Sequence, residues 1–242
     1  AHTVAAASAL FGMTGSDAPI RLSCRLFEVF CDVPELGPSF SAHLDELAPL
    51  ALSAIRHVDD PALPAALYAL CERYAKFAPI ALGGCACLPA VVEHAATMLG
   101  SCRAPDATNA ALDFLPGLAH ACRFAPDAAG HPDAAAAAAT PARLSAAVGG
   151  AVGEALVGGA IRGIAETLPL GGVARVADFL APLMHSAHWR DGPAHGWALA
   201  ALQAIPSGDD GVPDADTRAA LLRALTSLPD VAAGKGLQLG LL

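Results

Sequence analysis

PALPAALYALCERYAKFAPIALGGCACLPAVVEHAATMLG, residues 61–100, decides the fold. Leu67, Leu70, Cys71, Tyr74 and Phe77 recur three and four apart, the spacing of one apolar stripe on an α-helix. A break at Ala78-Pro79 and Gly83-Gly84 follows, and then a second stripe of Val91, Val92, Ala95, Met98 and Leu99. Two amphipathic helices joined by a Pro/Gly corner predict an αα-hairpin with an apolar face left over on each side. Such a hairpin needs neighbours.

The rest of the chain supplies them in the same style. Val4–Met13 reads as a frayed helix remnant. Asp17 or Ser16 is placed to cap the next helix, with Pro19 in its first turn. Leu22, Leu26, Val29, Phe30 and Val33 form its predicted stripe, ended by Pro34, Gly37 and Pro38. A helix over 39–58 carries Leu44, Leu47, Ala48, Ala51 and Ile55, and another over 106–123 carries Leu112, Leu115, Leu118, Ala119 and Cys122. Residues 125–141 are an insertion of low complexity with a six-alanine run, either a loop or an extension of the next helix. The stretch 142–168 is helical but rich in glycine, for which close helix–helix approach is the expected reason. Further helices are predicted over 173–186 and 190–205, and a last one capped by Asp214 or Asp216 and carrying Leu221, Leu222, Leu225 and Leu228.

Composition agrees with helices. Hydrophobic residues make up 55% of the 242, much of that alanine, and mean hydropathy is +0.48. Period-two runs of β-branched and aromatic residues are scarce, so strands have little support. Net charge is −9, which makes a phosphate backbone a poor partner. The richest apolar window, 146–164, contains Glu154, Arg162 and six glycines, and no transmembrane span is predicted. The chain begins at Ala1 with no basic segment ahead of its first apolar stretch, and reads as a fragment of a longer polypeptide. Its seven cysteines, Cys24, Cys31, Cys71, Cys85, Cys87, Cys102 and Cys122, are an odd and scattered set that suits a reducing compartment and small apolar packing roles.

Three segments resemble one another: residues 45–50 (DELAPL), 113–118 (DFLPGL) and 178–183 (DFLAPL). Cys87-Leu88-Pro89-Ala90 is a weaker fourth. Prolines inside periodic helices, with Pro49 and Pro89 one HEAT-type period apart, predict four to five antiparallel helix pairs stacked as an α-solenoid. Pro116 and Pro182 are further apart, and the insertion has to explain part of the excess.

The reactive residues do not assemble into a familiar chemistry. His185, His188 and His195 lie near Trp189 and Trp197, but no H-E-x-x-H pattern accompanies them, so they read as helix-end histidines. Cys85 and Cys87 lack a second pair at ligand spacing. Asp59, Asp60, Asp209 and Asp210 lie in turns, where aspartate caps helices. There is no nucleophile elbow, no P-loop and no dinucleotide fingerprint. An enzyme is not expected, and neither a cofactor nor a metal is predicted.

A family resemblance supplies what the chemistry does not. Leu67–Pro79, Leu88–Ala95 and Asn109–Leu115 resemble successive helices in the C-terminal repeats of transportin-SR receptors, and the order then continues through an insertion, a long helix at 144–168, the Leu168-Pro169 corner and Val173–Leu180. These receptors belong to the importin-β (karyopherin) superfamily, with importin-thirteen-like relatives. The likeness spans roughly residues 63–230. It implies nuclear import of protein cargo such as Arg/Ser-rich splicing factors, release by the small GTPase Ran bound to GTP, contacts with nucleoporins, and shuttling between cytoplasm and nucleus. It implies neither direct nucleic-acid binding nor membrane insertion. Arg21 and Arg25 are too few to match the family's arginine-bearing cargo helix, and the repeats that carry most Ran contacts are expected upstream, so no family residue is transferred.

The domain reading is an N-terminal remnant over 1–16, a HEAT-like array over 17–230 and a flexible tail over 231–242. In such arrays the second helix of each pair faces the cargo. Glu93, His94, Glu154, Arg162, Trp189, Arg190 and Trp197 are the candidate contacts on that side. The alternative is a HEAT-repeat scaffold subunit outside nuclear transport.

Overall fold

The computed structural model describes residues 2–31, 33–57, 60–101, 104–126, 133–168, 170–186, 189 and 194–205. Among them the regular elements are all helical: α1 (His2–Thr14), α2 (Ala18–Phe30), α3 (Gly37–His57), α4 (Ala62–Phe77), the single turn α5 (Pro79–Leu82), α6 (Leu88–Ser101), α7 (Pro105–Ala121), α8 (Ala134–Ala147), α9 (Gly150–Arg162), α10 (Leu170–Met184) and α11 (Ala194–Ala204). A 3₁₀ turn precedes α3, and a π turn over Gly163–Thr167 follows α9.

Alternate helices pack side by side in two rows. One row runs α2, α4, α7, α10, and the other α1, α3, α6, α9, α11. The rows meet where α1 touches α2, α3 touches α4 and α6 touches α7. The hairpin at 61–100 therefore finds the neighbours its spare faces required: α4 lies between α2 and α7, and α6 between α3 and α9.

Helices of the first row run parallel and in register. Phe27 stacks on Tyr74 with ring centroids 4.5 Å apart, and Tyr68 on Phe114 at 6.5 Å. Glu28 pairs with Arg73 at 3.1 Å. Residues 47 apart in sequence fall at equivalent heights: Ile20, Leu67 and Phe114 are all fully buried, while Phe30 and Phe77 end α2 and α4 part-exposed and Phe124, just beyond α7, is part-exposed too. The step from α7 to α10 is longer because α8 is inserted between them and packs on α5 and α7.

Several expectations are corrected here. Of the two readings open for the alanine run, the helical extension holds, because alanine costs least in a helix and the Asp133 carboxylate accepts the Ala136 N–H at 2.8 Å. The glycine-rich stretch is not one helix with residues 142–147. The chain bends by 68° at Val148–Gly149, where Gly150 takes φ +57°. Residues 2–14, expected to be frayed, form a helix that buries Ser8 and Phe11 against α2 and α3. The face of α2 turned inward is Pro19, Ile20, Ser23 and Phe27, and the expected stripe of Leu22, Val29, Phe30 and Val33 is exposed instead. Phe77 likewise ends α4 about half exposed. Pro49, Pro116 and Pro182 do sit inside helices, but Pro49 is in the second row and the other two are in the first, so the three similar segments are not equivalent positions. The predicted helix around Leu221–Leu228 lies outside the described residues.

Candidate interaction surface

The second row carries most of the candidate contacts, and glycine decides how closely its helices approach. A Cβ at Gly159 of α9 would collide with the Ala96 carbonyl of α6, and one at Gly163 would stand 2.7 Å from the Leu99 carbonyl oxygen. On the other side of α9, a Cβ at Gly153 would stand 2.6 Å from the Trp197 ring of α11. Gly153, Gly159 and Gly163 allow close approach, the reason expected for the glycines of this stretch. The backbones of α6 and α9 nearly touch, and the Trp197 ring packs against α9 at the place where Gly153 has no side chain.

Glu93 and Glu154 are exposed on α6 and α9, and the Glu93 carbonyl accepts the Thr97 hydroxyl at 3.1 Å. Arg162 is exposed and lies across Gly100, where a Cβ would be 3.5 Å from its Nε. These three are the acidic and basic side chains of α6 and α9.

His94 is turned inward. The Tyr68 hydroxyl and its Nδ1 are hydrogen-bonded at 2.5 Å, and the two rings stack with centroids 5.9 Å apart. Burial, and then the Arg56 guanidinium nearby, hold the His94 pKa below the ordinary imidazole value. Its first task is to satisfy a tyrosine hydroxyl that would otherwise be buried without a partner. Trp189 is also structural: it is only 2% exposed and meets Trp197 edge-on at 5.3 Å. Among the described residues nothing accepts a hydrogen bond from its Nε1. Trp197 is half-buried on Gly153. Arg190, His188 and the His195 side chain lie outside the described residues. Glu93, Glu154 and Arg162 are thus exposed on α6 and α9, while His94, Trp189 and Trp197 pack between helices.

Sequence reasoning missed the polar links. His43 of α3 sits in a buried relay: its Nε2–H donates to the Ser23 hydroxyl at 2.9 Å, Ser23 donates to the Pro19 carbonyl at 2.9 Å, and Ser8 lies 3.2 Å from Nδ1. Because Ser23 spends its proton on a carbonyl, it accepts from the imidazole, which leaves Nδ1 to accept from Ser8. Desolvation pushes the His43 pKa down to about 4, so the ring is neutral at pH 7 and joins α1, α2 and α3 as a hydrogen-bond hub. Its place among the buried positions Phe40, Leu44 and Leu47 was the available signal. In the first row Arg175 of α10 clamps α7, reaching the Asn109 side chain at 3.1 Å, the Asn109 carbonyl at 2.9 Å and the Asp113 carboxylate.

The thiols behave as packing groups. Cys71, Cys85, Cys87 and Cys122 are buried. Burial raises Cys24 to about 11 and Cys122 to about 12, so both remain protonated and weakly nucleophilic near neutral pH. The Asp45 carboxylate accepts the Cys87 N–H at 2.8 Å and the Cys87 thiol reaches the Leu44 carbonyl at 3.6 Å, tying the turn before α6 to α3. Among the described residues, no three His, Cys, Asp or Glu side chains come together as a metal site, and no single helix is long and apolar enough to cross a membrane.

No family model matches the chain, and no curated protein matches it.

Proposed function

We propose that the chain is a HEAT-type α-solenoid segment that grips a protein partner, and that it serves in nuclear transport as part of an importin-β superfamily receptor of the transportin-SR or importin-thirteen kind. One observation carries the scaffold part. Apart from α5 and the inserted α8, successive helices alternate between two rows, and equivalent positions on α2, α4 and α7 repeat every 47 residues, at the upper end of the ~40–47-residue HEAT period. In such arrays each helix pair contacts only its neighbours, and one row lines the surface that holds the ligand.

The transport part rests on the resemblance of Leu67–Pro79, Leu88–Ala95 and Asn109–Leu115 to that family, which fall on α4, α6 and α7. On this reading the protein binds cargo through the α6–α9–α11 row, with Glu93, Glu154 and Arg162 at the contact. It responds to Ran-GTP, touches nucleoporins, and shuttles between cytoplasm and nucleus. It performs no reaction and uses no cofactor.

The test is a pull-down of the complete gene product on beads carrying Ran-GTP and on beads carrying an Arg/Ser-rich cargo domain. Retention on both, with cargo released by Ran-GTP, is the expected result. Failure to bind either ends the transport reading and leaves a scaffold subunit outside transport. That second reading is favoured by the sparse charge on the outer face of α6 and α9, where two acids and one arginine offer little to a densely basic cargo.

A further inference from the structure

Helix α8 stands outside the packing of the two rows. Both rows run on past it: α7 packs directly on α10 and α6 on α9, so neither uses α8 as a member. α8 lies instead on α5 and α7.

What holds it there is slight for a helix of 14 residues. It buries Ala137, Thr140, Leu144 and Ser145, and of these four Leu144 alone is a large apolar side chain. α7, by contrast, buries Leu112, Phe114, Leu115 and Leu118. Burying an alanine gains little, because the area it removes from water is small. Leu144 reaches the corner after α5, where a Cβ at Gly83 would be 3.6 Å from its Cγ. The Ser145 hydroxyl is hydrogen-bonded at 3.0 Å to that of Ser186, just beyond α10. The cap and the Thr140 hydroxyl bond locally: the Asp133 carboxylate accepts the Ala136 N–H, and Thr140 donates to the Ala136 carbonyl at 2.8 Å. α8 thus carries its own helix-forming signals, alanine and an N-cap.

At its C-terminal end α8 meets a joint. The chain turns by 68° between α8 and α9, and Gly150 in the turn has φ +57°, which glycine enters and leaves without steric cost. Beyond the joint, α9 is fixed by Gly159 against Ala96 and by Trp197 against Gly153. Rotation at 148–150 displaces α8 with α9 in place.

We propose that α8 is a strap that opens and closes over α5 and α7 while both rows stay packed. Closed, it covers that surface itself; open, it exposes the surface together with Leu144. The inference rests on packing alone and does not depend on the transport reading.

Amide hydrogen exchange of the 242-residue chain tests it. In the parent, amides over 138–147 should exchange at least about 100-fold faster than interior amides of α4 and α7, because local opening costs less than global unfolding. Their protection should be similar along the helix, since the strap opens as a unit. Leu144→Ala should speed them a further tenfold or so and leave α4 and α7 unchanged. Protection in α8 equal to that of α7, protection that climbs steadily from 138 to 147 as in a fraying helix, or a Leu144→Ala effect shared by α4 and α7 would each overturn the proposal.

Discussion

Gly159 of α9 stands against the main-chain carbonyl of Ala96 in α6 with no room for a side chain between them. A carbonyl cannot swing aside as a side chain does, so relief requires one helix to move. Gly159→Ala should destabilise the protein by about 2–3 kcal/mol through overpacking. The adjacent Gly158 has nothing within 4 Å of its would-be Cβ, and Gly158→Ala should stabilise by about 0.5–1 kcal/mol through helix propensity. Chemical denaturation of the two variants checks the pair. Equal effects would mean that α6 and α9 do not approach through glycine.

Trp197 supports a second prediction of the same kind. A methyl group at Gly153 would stand 2.6 Å from the indole and 2.9 Å from the Val148 carbonyl oxygen, and shrinking the indole relieves the first of these contacts. Gly153→Ala and Trp197→Leu should each cost about 1–3 kcal/mol, the first by crowding and the second by lost burial. The double variant should be more stable than the sum of the two by at least about 1 kcal/mol. Strict additivity would show that the two residues do not touch.

The rows were legible from residues 61–100 because apolar spacing reports which side of a helix is buried. Leu67, Leu70, Cys71 and Tyr74 went where their periodicity sent them. α2 misled because two of its faces are apolar. Leu22, Val29 and Val33 keep helical spacing as well as Ile20, Ser23 and Phe27 do, and only tertiary packing selects between them. The alanine run left two readings open, since alanine suits a surface helix and an irregular insertion alike, and the helix capped by Asp133 is the one that forms. Among the candidate contacts, exposed glutamates were readable from helix faces. The inward turn of His94 was not, since it depends on a tyrosine 26 residues away. The 47-residue register was hidden because equivalent positions tolerate Ile, Leu and Phe, or Phe, Tyr and Ala, so shared size and burial rather than identity carry the repeat.

His94 lends itself to a direct titration. Burial depresses its pKa first and the Arg56 charge second, so removing that charge should move the value up without restoring it fully. Arg56→Gln is expected to raise the His94 pKa, and Tyr68→Phe to change it, because the phenol is hydrogen-bonded to Nδ1. Histidine side-chain NMR across pH 4–8 reads both. Tyr68→Phe should also cost about 1 kcal/mol for the lost hydrogen bond. A His94 titration indifferent to both substitutions would break the link between α4 and α6.

The buried imidazole of His43 makes folding stability depend on pH in a defined direction. Its native pKa is about 4, below the ordinary value of 6.5, so the native state resists a proton that the unfolded chain accepts. Above pH 6.5 both states are neutral and the residue adds no pH dependence. As pH falls from 6.5 towards 4, the unfolded state binds more protons and stability drops, by about 3 kcal/mol at the end of the window. Below pH 4 both states are protonated and this slope disappears. Carboxylates add their own acid dependence, Glu28 among them, since Arg25 and Arg73 hold its pKa down. The comparison that isolates the imidazole is therefore His43→Gln, which keeps a donor for Ser23 and an acceptor for Ser8 but cannot titrate. Urea denaturation at pH 7 and pH 4.5 should show a smaller loss for His43→Gln than for the parent, with the difference confined to pH below about 6.5. If parent and variant lose stability in parallel, His43 is not the neutral hub joining the first three helices.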